Sequence, residues 1–254
     1  MFTRHVPVVL VAAGCLVLSA CSGGQASVTA DHAPAGTEQT SSTPQPSSTP
    51  SSHIPLPTRG AVGEVPDTAR LRELVLQPGE AAGVPNPQMG IRDVHPSELK
   101  PLPRTGSSPC ATMWAILRQQ TGAQAAITQT FQSGATENPQ VTFLASYAGT
   151  GAATTFAELR SAVAACPSDD SDGRKGTVRY EDLDRGGFPE GTIRIRMTFA
   201  EEGSDQPADV FDRIVARVGV CIVDVVSMGP EPHPPLAEAP VLRQIERLRA
   251  AQGV

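Results

Sequence analysis

Histidine and basic charge are scarce in this chain of 254 residues, and each scarcity removes a class of chemistry. Of five histidines, only His95 and His233 lie beyond residue 62, both beside prolines in loop-like sequence. Zinc centres and histidine-assisted nucleophiles both draw on imidazole, so either would need an unusual donor set here. No Gly-x-Ser-x-Gly, His-Glu-x-x-His or phosphate-cradling glycine loop occurs. Lysine and arginine number 20 against 26 acidic residues, a net charge of −6. Nucleic acid and anionic lipid select basic surfaces, so neither is expected as the main partner, and no metal or cofactor is implied.

A membrane-spanning run is lacking too. The apolar stretch at the N-terminus, Val6 to Ala20, is shorter than the roughly 18 residues a span needs, and a Gly-Gly exit replaces a basic stop. It contains two boxes of the lipoprotein type, ending at Cys15 and at Cys21. Cleavage before Cys15 leaves a minimal apolar core and a mature chain that starts with apolar Leu-Val-Leu. Cleavage before Cys21 gives a longer core, the box Leu18-Ser19-Ala20-Cys21 and the polar exit Ser22-Gly23-Gly24-Gln25. The expectation is a signal peptide over 1–20 and a lipid on Cys21, where two or more acyl chains anchor stably. The protein would then sit on the outer face of the cell membrane, in an oxidising compartment.

From Ser22 to Val62 large apolar residues are almost absent, and Ser, Thr and Pro dominate. Such a segment cannot offset its ordering entropy by burial, so 21–62 reads as a lipidated stalk spanning about 35 Å. The remainder, 63–254, is long enough for one domain with its own core.

Periodicity in that domain alternates between helix and strand. Cys110, Met113, Trp114 and Leu117 recur at helical spacing, opened by Ser108 or Pro109. Strands follow over Ala125 to Gln132 and Gln140 to Ala148, then a helix over Thr155 to Ala165 that stops at Pro167. Four more strands read Gly176 to Leu183, Gly191 to Ala200, Asp209 to Val218 and Val220 to Met228, before a final helix over Ala239 to Arg249. A short amphipathic start, Thr68 to Leu76, precedes them, and Pro78 to Pro109 reads as loop. The last strand is apolar on both faces, so it belongs inside the sheet, and Gly219 makes its link to the preceding strand a hairpin. The expected fold is α+β: an antiparallel sheet of about five to six strands with helices packed on one side.

Three cysteines fall in this domain, Cys110, Cys166 and Cys221. The first two sit at helix ends and the third in the most apolar strand, which favours a Cys110–Cys166 bridge and a buried Cys221 thiol. The other two pairings stay open on sequence alone.

Cys110-Ala-Thr-Met-Trp, "VTFLASY", the helix "FAELRSAVAAC" before Pro167, "VRYEDLD", "TIRIRMTF" and the hairpin "DRIVARVGVCIVDVVSMG" together resemble the PknH-like extracellular sensor domain. The resemblance covers roughly Leu71 to Leu248. That domain occurs in actinobacteria as the outer part of receptor kinases and as free-standing lipoproteins. The resemblance implies an antiparallel sheet with helices forming a cleft and a sensory or ligand-binding role; with no kinase module, the domain either reports through a membrane signalling partner or simply holds its ligand. Members with two disulfides have four domain cysteines; three here leave a second bridge without a partner.

Several motifs carry bland readings. Ser97-Glu98-Leu99-Lys100 has the Ser-x-x-Lys spacing of penicillin-recognising enzymes but lies between Pro96 and Pro101. "SDDSDG" at 168–173 approximates a calcium loop but has Arg179 where a bidentate Glu is required. Glu181, Asp182 and Asp184 suggest a carboxylate pair, yet Glu181 and Asp182 point to opposite faces of a strand. The arginines are more informative. Arg179, Arg194 and Arg196 lie on strands, and Arg213 and Arg217 share a strand face with Phe211 and Val215. If these faces coincide, these guanidinium groups form a stripe for an anionic or polymeric ligand such as an envelope glycan or phosphate, with Arg194, Arg196, Arg213 and Arg217 as the binding candidates; otherwise they are a solvated, ion-paired face. The composition favours a non-catalytic ligand-binding or sensor protein, with an envelope hydrolase or a ligand-free structural lipoprotein as alternatives.

Cys21→Ala should move the protein from the membrane to the soluble fraction of fractionated cells; unchanged membrane retention would show that Cys21 is not the anchor.

Overall fold

The computed structural model is described at residues 54–60, 64–81, 88–100, 108–118, 122–132, 138–169, 174–183 and 187–254. The signal segment, Cys15 and Cys21 lie outside these residues. The chain runs α1 (Thr68–Leu74), β1 (Gln88–Asp93), α2 (Pro109–Leu117), β2 (Ala125–Gln132), β3 (Gln140–Ser146) and α3 (Gly151–Ala164). It continues through β4 (Ser168–Asp169), β5 (Arg174–Asp182), β6 (Ile193–Glu201), β7 (Asp209–Val218), β8 (Cys221–Pro230) and α4 (Glu238–Gln252). All strand pairs are antiparallel, in the order β1-β2-β3-β8-β7-β6-β5-β4.

The class is α+β, as the patterning implies, but the sheet has eight strands rather than five or six. Both extra strands are edge strands that burial does not mark. β1 carries Gly90, an exposed Ile91 and the charged pair Arg92 and Asp93, and it exists through its ladder to β2. β4 is two residues long and pairs only with Gly176 and Thr177. Little side chain separates these strands at Gly176, where an added Cβ would fall 2.6 Å from the Asp169 carbonyl oxygen.

The helices lie on both faces, not one. α1 and α4 pack Leu71, Leu74, Val241, Ile245 and Leu248 against Ile127, Leu144, Ile214, Val223 and Val225. α2 and α3 pack Met113, Leu117, Phe156, Leu159 and Val163 against Ile193, Ile195, Met197 and Ile222 on the other side. The reason is β8, which contributes Cys221, Val223 and Val225 to one core and Ile222 to the other. A strand apolar on both faces needs two covering layers. Burying each such Leu, Ile or Met side chain stabilises by about 1.5–3 kcal/mol.

Local sequence sets the ends of these elements. The Ser108 hydroxyl accepts the Ala111 N–H at 3.1 Å and Pro109 starts α2. Val218 pairs with Cys221 across Gly219, whose φ of +56° suits glycine, and Gln252 at the end of α4 clamps this turn by bonding Val220 N–H and the Val218 carbonyl. Residues ahead of α1 are also held: Gly60 N–H donates to the Ala251 carbonyl at 2.8 Å, and Arg243 reaches the Ile54 carbonyl at 3.1 Å. Arg243 and Arg247 both pair with the buried Glu80 carboxylate, joining the α1–β1 connection to α4.

Cys110 and Cys166 are disulfide-bonded, with Cα atoms 5.1 Å apart, tying the start of α2 to the end of α3. A loop closed over 56 residues lowers the unfolded-state entropy enough to stabilise by about 4 kcal/mol on the chain-entropy model. Cys221 is a free, buried thiol, which burial pushes up to about 12, so it stays protonated and inert.

Arg213 is the one charged side chain of β7 buried in the α2/α3 layer. It donates to both oxygens of the buried Asp224 and also reaches the Leu117 carbonyl at the end of α2. Removing one member of such a pair strands the other charge. Arg213→Met should therefore lower unfolding stability by about 3–5 kcal/mol, and Arg213→Met with Asp224→Leu should recover most of it in urea titrations.

Candidate functional site

The covering layer of α4 lies mainly over β7 and β8, and a cleft opens on the same face of β5 and β6. On β6 the odd residues from Ile193 to Phe199 face the α2/α3 core, which turns Arg194 and Arg196 toward this open side. Register places Glu181 opposite Arg194, Arg179 opposite Arg196, and Asp212 of β7 on the far side of Arg196. The connection from β8 to α4 brings Pro235 to the rim, with Tyr180 at the sheet edge. Together they bound a cleft of about 430 Å³.

Asp212, 1% exposed, is its hub. Arg194 grips it bidentately, Nε to Oδ1 at 3.0 Å and Nη2 to Oδ2 at 2.9 Å, and the Leu236 N–H donates to Oδ2 at 2.8 Å. The bond to Asp212 holds the Arg194 guanidinium above its ordinary value, with Glu238 and Glu181 adding to the same effect. Arg196 stands 3.6 Å from Asp212 and donates to the His233 carbonyl at 3.2 Å.

His233 fastens the connection from behind. Its Nδ1 accepts from Asn138 Nδ2 at 3.1 Å, so Nε2 carries the hydrogen and donates to Ser227 Oγ at 3.0 Å. Burial lowers its pKa, and the nearby Arg196 lowers it further while Asp212 opposes. Ser227, His233 and Asn138 have the connectivity of a nucleophile, base and orienting residue. None of the three lines the cleft, and Ser227 is buried, so the set fixes the loop instead of facing a substrate.

The four arginines anticipated as a stripe do not share a face. Arg194 and Arg196 stand in the cleft. Arg213 lies across from Ile195 on the opposite face, buried against Asp224, and Arg217 is exposed at the hairpin end, 3.4 Å from the Gly219 carbonyl. A strand alternates sides, so β6 evens and β7 odds fall on opposite faces once the register is set. Strand register brings Arg179, Glu181 and Asp212 into the cleft, and the β8–α4 connection adds Pro235.

The remaining motifs are accounted for locally. Ser97 Oγ contacts His95 Nδ1 at 2.8 Å, within a turn closed by Glu98. Asp182 faces away from Glu181 and pairs with Arg160 at 2.8 Å, and Asp184 lies outside the described residues. Asp169 accepts the Trp114 indole N–H, while 170–173 lie outside the described residues. Among the described residues no group of three His, Cys, Asp or Glu is placed to hold a metal ion, and no helix is long and apolar enough to cross a membrane.

The fold has a solved counterpart. The extracellular domain of PknH from Mycobacterium tuberculosis superposes with a TM-score of 0.51 at 14% identity, covering 74% of this chain and 98% of that one. The two share a fold. No family model and no curated protein matches the sequence.

His233 gives this region a pH dependence of definite sign. Its native pKa lies below the unfolded value of about 6.5, so the unfolded chain binds the proton first. Its stabilising contribution is complete above pH about 6.5 and is lost as pH falls toward the native pKa. Urea midpoints measured between neutral and mildly acidic pH should fall for wild type, and His233→Gln should start lower and fall less steeply.

Proposed function

We propose that this chain is a non-catalytic ligand-binding protein of the cell envelope, lipid-anchored through Cys21 and belonging with the PknH-like sensor domains. The observation that carries the reading is the open β5–β6 face, where guanidinium groups converge on a cleft beside the buried Asp212. Its volume falls in the range of small-molecule sites, and its polar groups are charged donors of fixed direction. A hydrolase would instead need a nucleophile and a base in contact with the substrate, and the Ser227–His233 contact lies outside the cleft. The fold shared with an extracellular domain supports the sensory reading, and the box ending at Cys21 supports an extracytoplasmic position. A domain held on a stalk outside the membrane would transmit occupancy through a membrane signalling partner.

Thermal unfolding of the full-length chain in detergent, with envelope lipids, glycans and peptidoglycan fragments added in turn, tests this. A true ligand raises the melting point without being consumed, by about 2.7 kcal/mol of stabilisation at a hundredfold excess over Kd. The shift should vanish in Arg196→Gln. Product formation that Glu181→Gln abolishes would instead establish an envelope hydrolase.

A further inference from the structure

The arginines of the cleft are unequally compensated, and the difference points to the ligand. Arg194 has Asp212 on both its Nε and Nη2, Glu238 at 3.4 Å, and Glu181 opposite it in register. It is neutralised and fixed. Arg196 receives much less. Both Asp212 oxygens are already engaged by Arg194 and the Leu236 N–H, and the 3.6 Å from Arg196 to Oδ2 is beyond hydrogen-bond length. Its hydrogen bond goes to the His233 carbonyl, which spends one of five N–H donors. Arg179 is exposed and makes no hydrogen bond or ion pair among the described residues. Yet Arg179 and Arg196 are directly opposed on adjacent strands and share a face. Cross-strand partners have Cβ atoms about 4.5–5.5 Å apart, and like charges so placed repel.

We propose that the cleft takes a phosphoryl-bearing ligand, its phosphate oxygens held between Arg179 and Arg196. This rests on the reading of the cleft as a binding site and adds the ligand's chemistry. A single guanidinium saturates the two oxygens of a carboxylate through its paired N–H edge. Two guanidinium groups side by side offer two such edges, which suits the three terminal oxygens of a phosphoryl group. The anion also removes the repulsion between the two cations that the protein leaves standing. The cleft, at about 430 Å³, holds more than a phosphate ion, and Pro235 at its rim gives the rest of the ligand an apolar contact. Phosphate monoesters on glycans and on lipid headgroups share this chemistry.

The test uses the full-length chain in detergent, titrated with inorganic phosphate, glucose 1-phosphate and glycerol 3-phosphate at constant ionic strength set with chloride. Melting temperature and phosphorus NMR line width are read for wild type, Arg179→Gln, Arg196→Gln, Arg179→Lys and the remote Arg217→Gln. Wild type and Arg217→Gln should bind alike. Arg179→Gln and Arg196→Gln should bind at least tenfold more weakly, and Arg179→Lys, which keeps the charge but loses the fork, should be weakened severalfold. Without ligand, Arg179→Gln should melt no lower than wild type, because the change removes a repulsion and breaks no bond. Tighter binding of the sugar phosphate assigns a glycan source, and tighter binding of glycerol phosphate assigns a lipid headgroup. Equal phosphate binding by Arg179→Gln and wild type, or an equal shift with chloride alone, overturns the proposal. If phosphate esters have no effect while a neutral glycan still binds in a manner sensitive to Arg196→Gln, the phosphoryl assignment fails and the cleft stands. If no envelope compound binds, both fail.

Discussion

Asp212 is the interaction on which this end of the molecule depends. A carboxylate withdrawn from water to 1% exposure is tolerated only when its charge is matched and its lone pairs are occupied. Arg194 supplies the matching charge from β6, and the Leu236 N–H supplies a donor from the connection to α4. One side chain of β7 thus joins the neighbouring strand to the segment that leads into the last helix. Losing it would strand Arg194, itself largely buried, and release the connection that walls the cleft. The His233 contacts with Asn138 and Ser227 hold the same connection from its other side, so its position is set twice.

The wider architecture follows from a difference between strands. β8 is apolar on both faces and lies in mid-sheet, where α1 and α4 cover one side and α2 and α3 the other. β6 is apolar on one face only. Its Ile and Met residues complete the α2/α3 core, and its arginines occupy a face that α4 meets through Glu238 at Arg194 and leaves open beyond it. The cleft is therefore the place where a three-layer arrangement becomes two-layered. A helix laid over Arg179 and Arg196 would bury charge that the fold matches only in part, which is a physical reason for the layer to stop there. The arginines on β7 had a different fate: Arg213, on the side that is covered, carries Asp224 with it as a buried partner.

Much of this was legible in the sequence, and what was not had a physical reason. Six strands, the order of the elements, the β7–β8 hairpin and the Cys110–Cys166 bridge follow from alternation, glycine and cysteine placement. β1 and β4 escaped because each is held by backbone bonds to a single neighbour, and such strands need no alternation of their own. The two-sided helix packing was implicit in the two apolar faces of β8 and was not drawn from them. The stripe of four arginines failed on register: parity along one strand says which residues share its face, while the relation between two strands is set only by how they pair. Asp212 gave no signal at all, since a lone aspartate amid Val210, Phe211 and Arg213 reads as a solvated strand position until its partners are known.

Under the proposed function, register would fit this face for holding a ligand. Catalysis requires groups whose protonation changes or whose electrons attack, held against the substrate. The cleft presents three guanidinium groups, which neither titrate near neutrality nor act as nucleophiles, beside the carboxylates Glu181 and Asp212, and Ser227 and His233 fasten the loop behind it. Arg179 opposite Arg196 adds repulsion to the empty fold, a local conflict of the kind proteins retain where binding demands it. A fold optimised for stability alone would place an acidic residue at 179, as it does at 181 opposite Arg194. The same pair of strands thus carries a compensated position and a less compensated one, two residues apart, and the less compensated one is where the proposed phosphoryl group would sit.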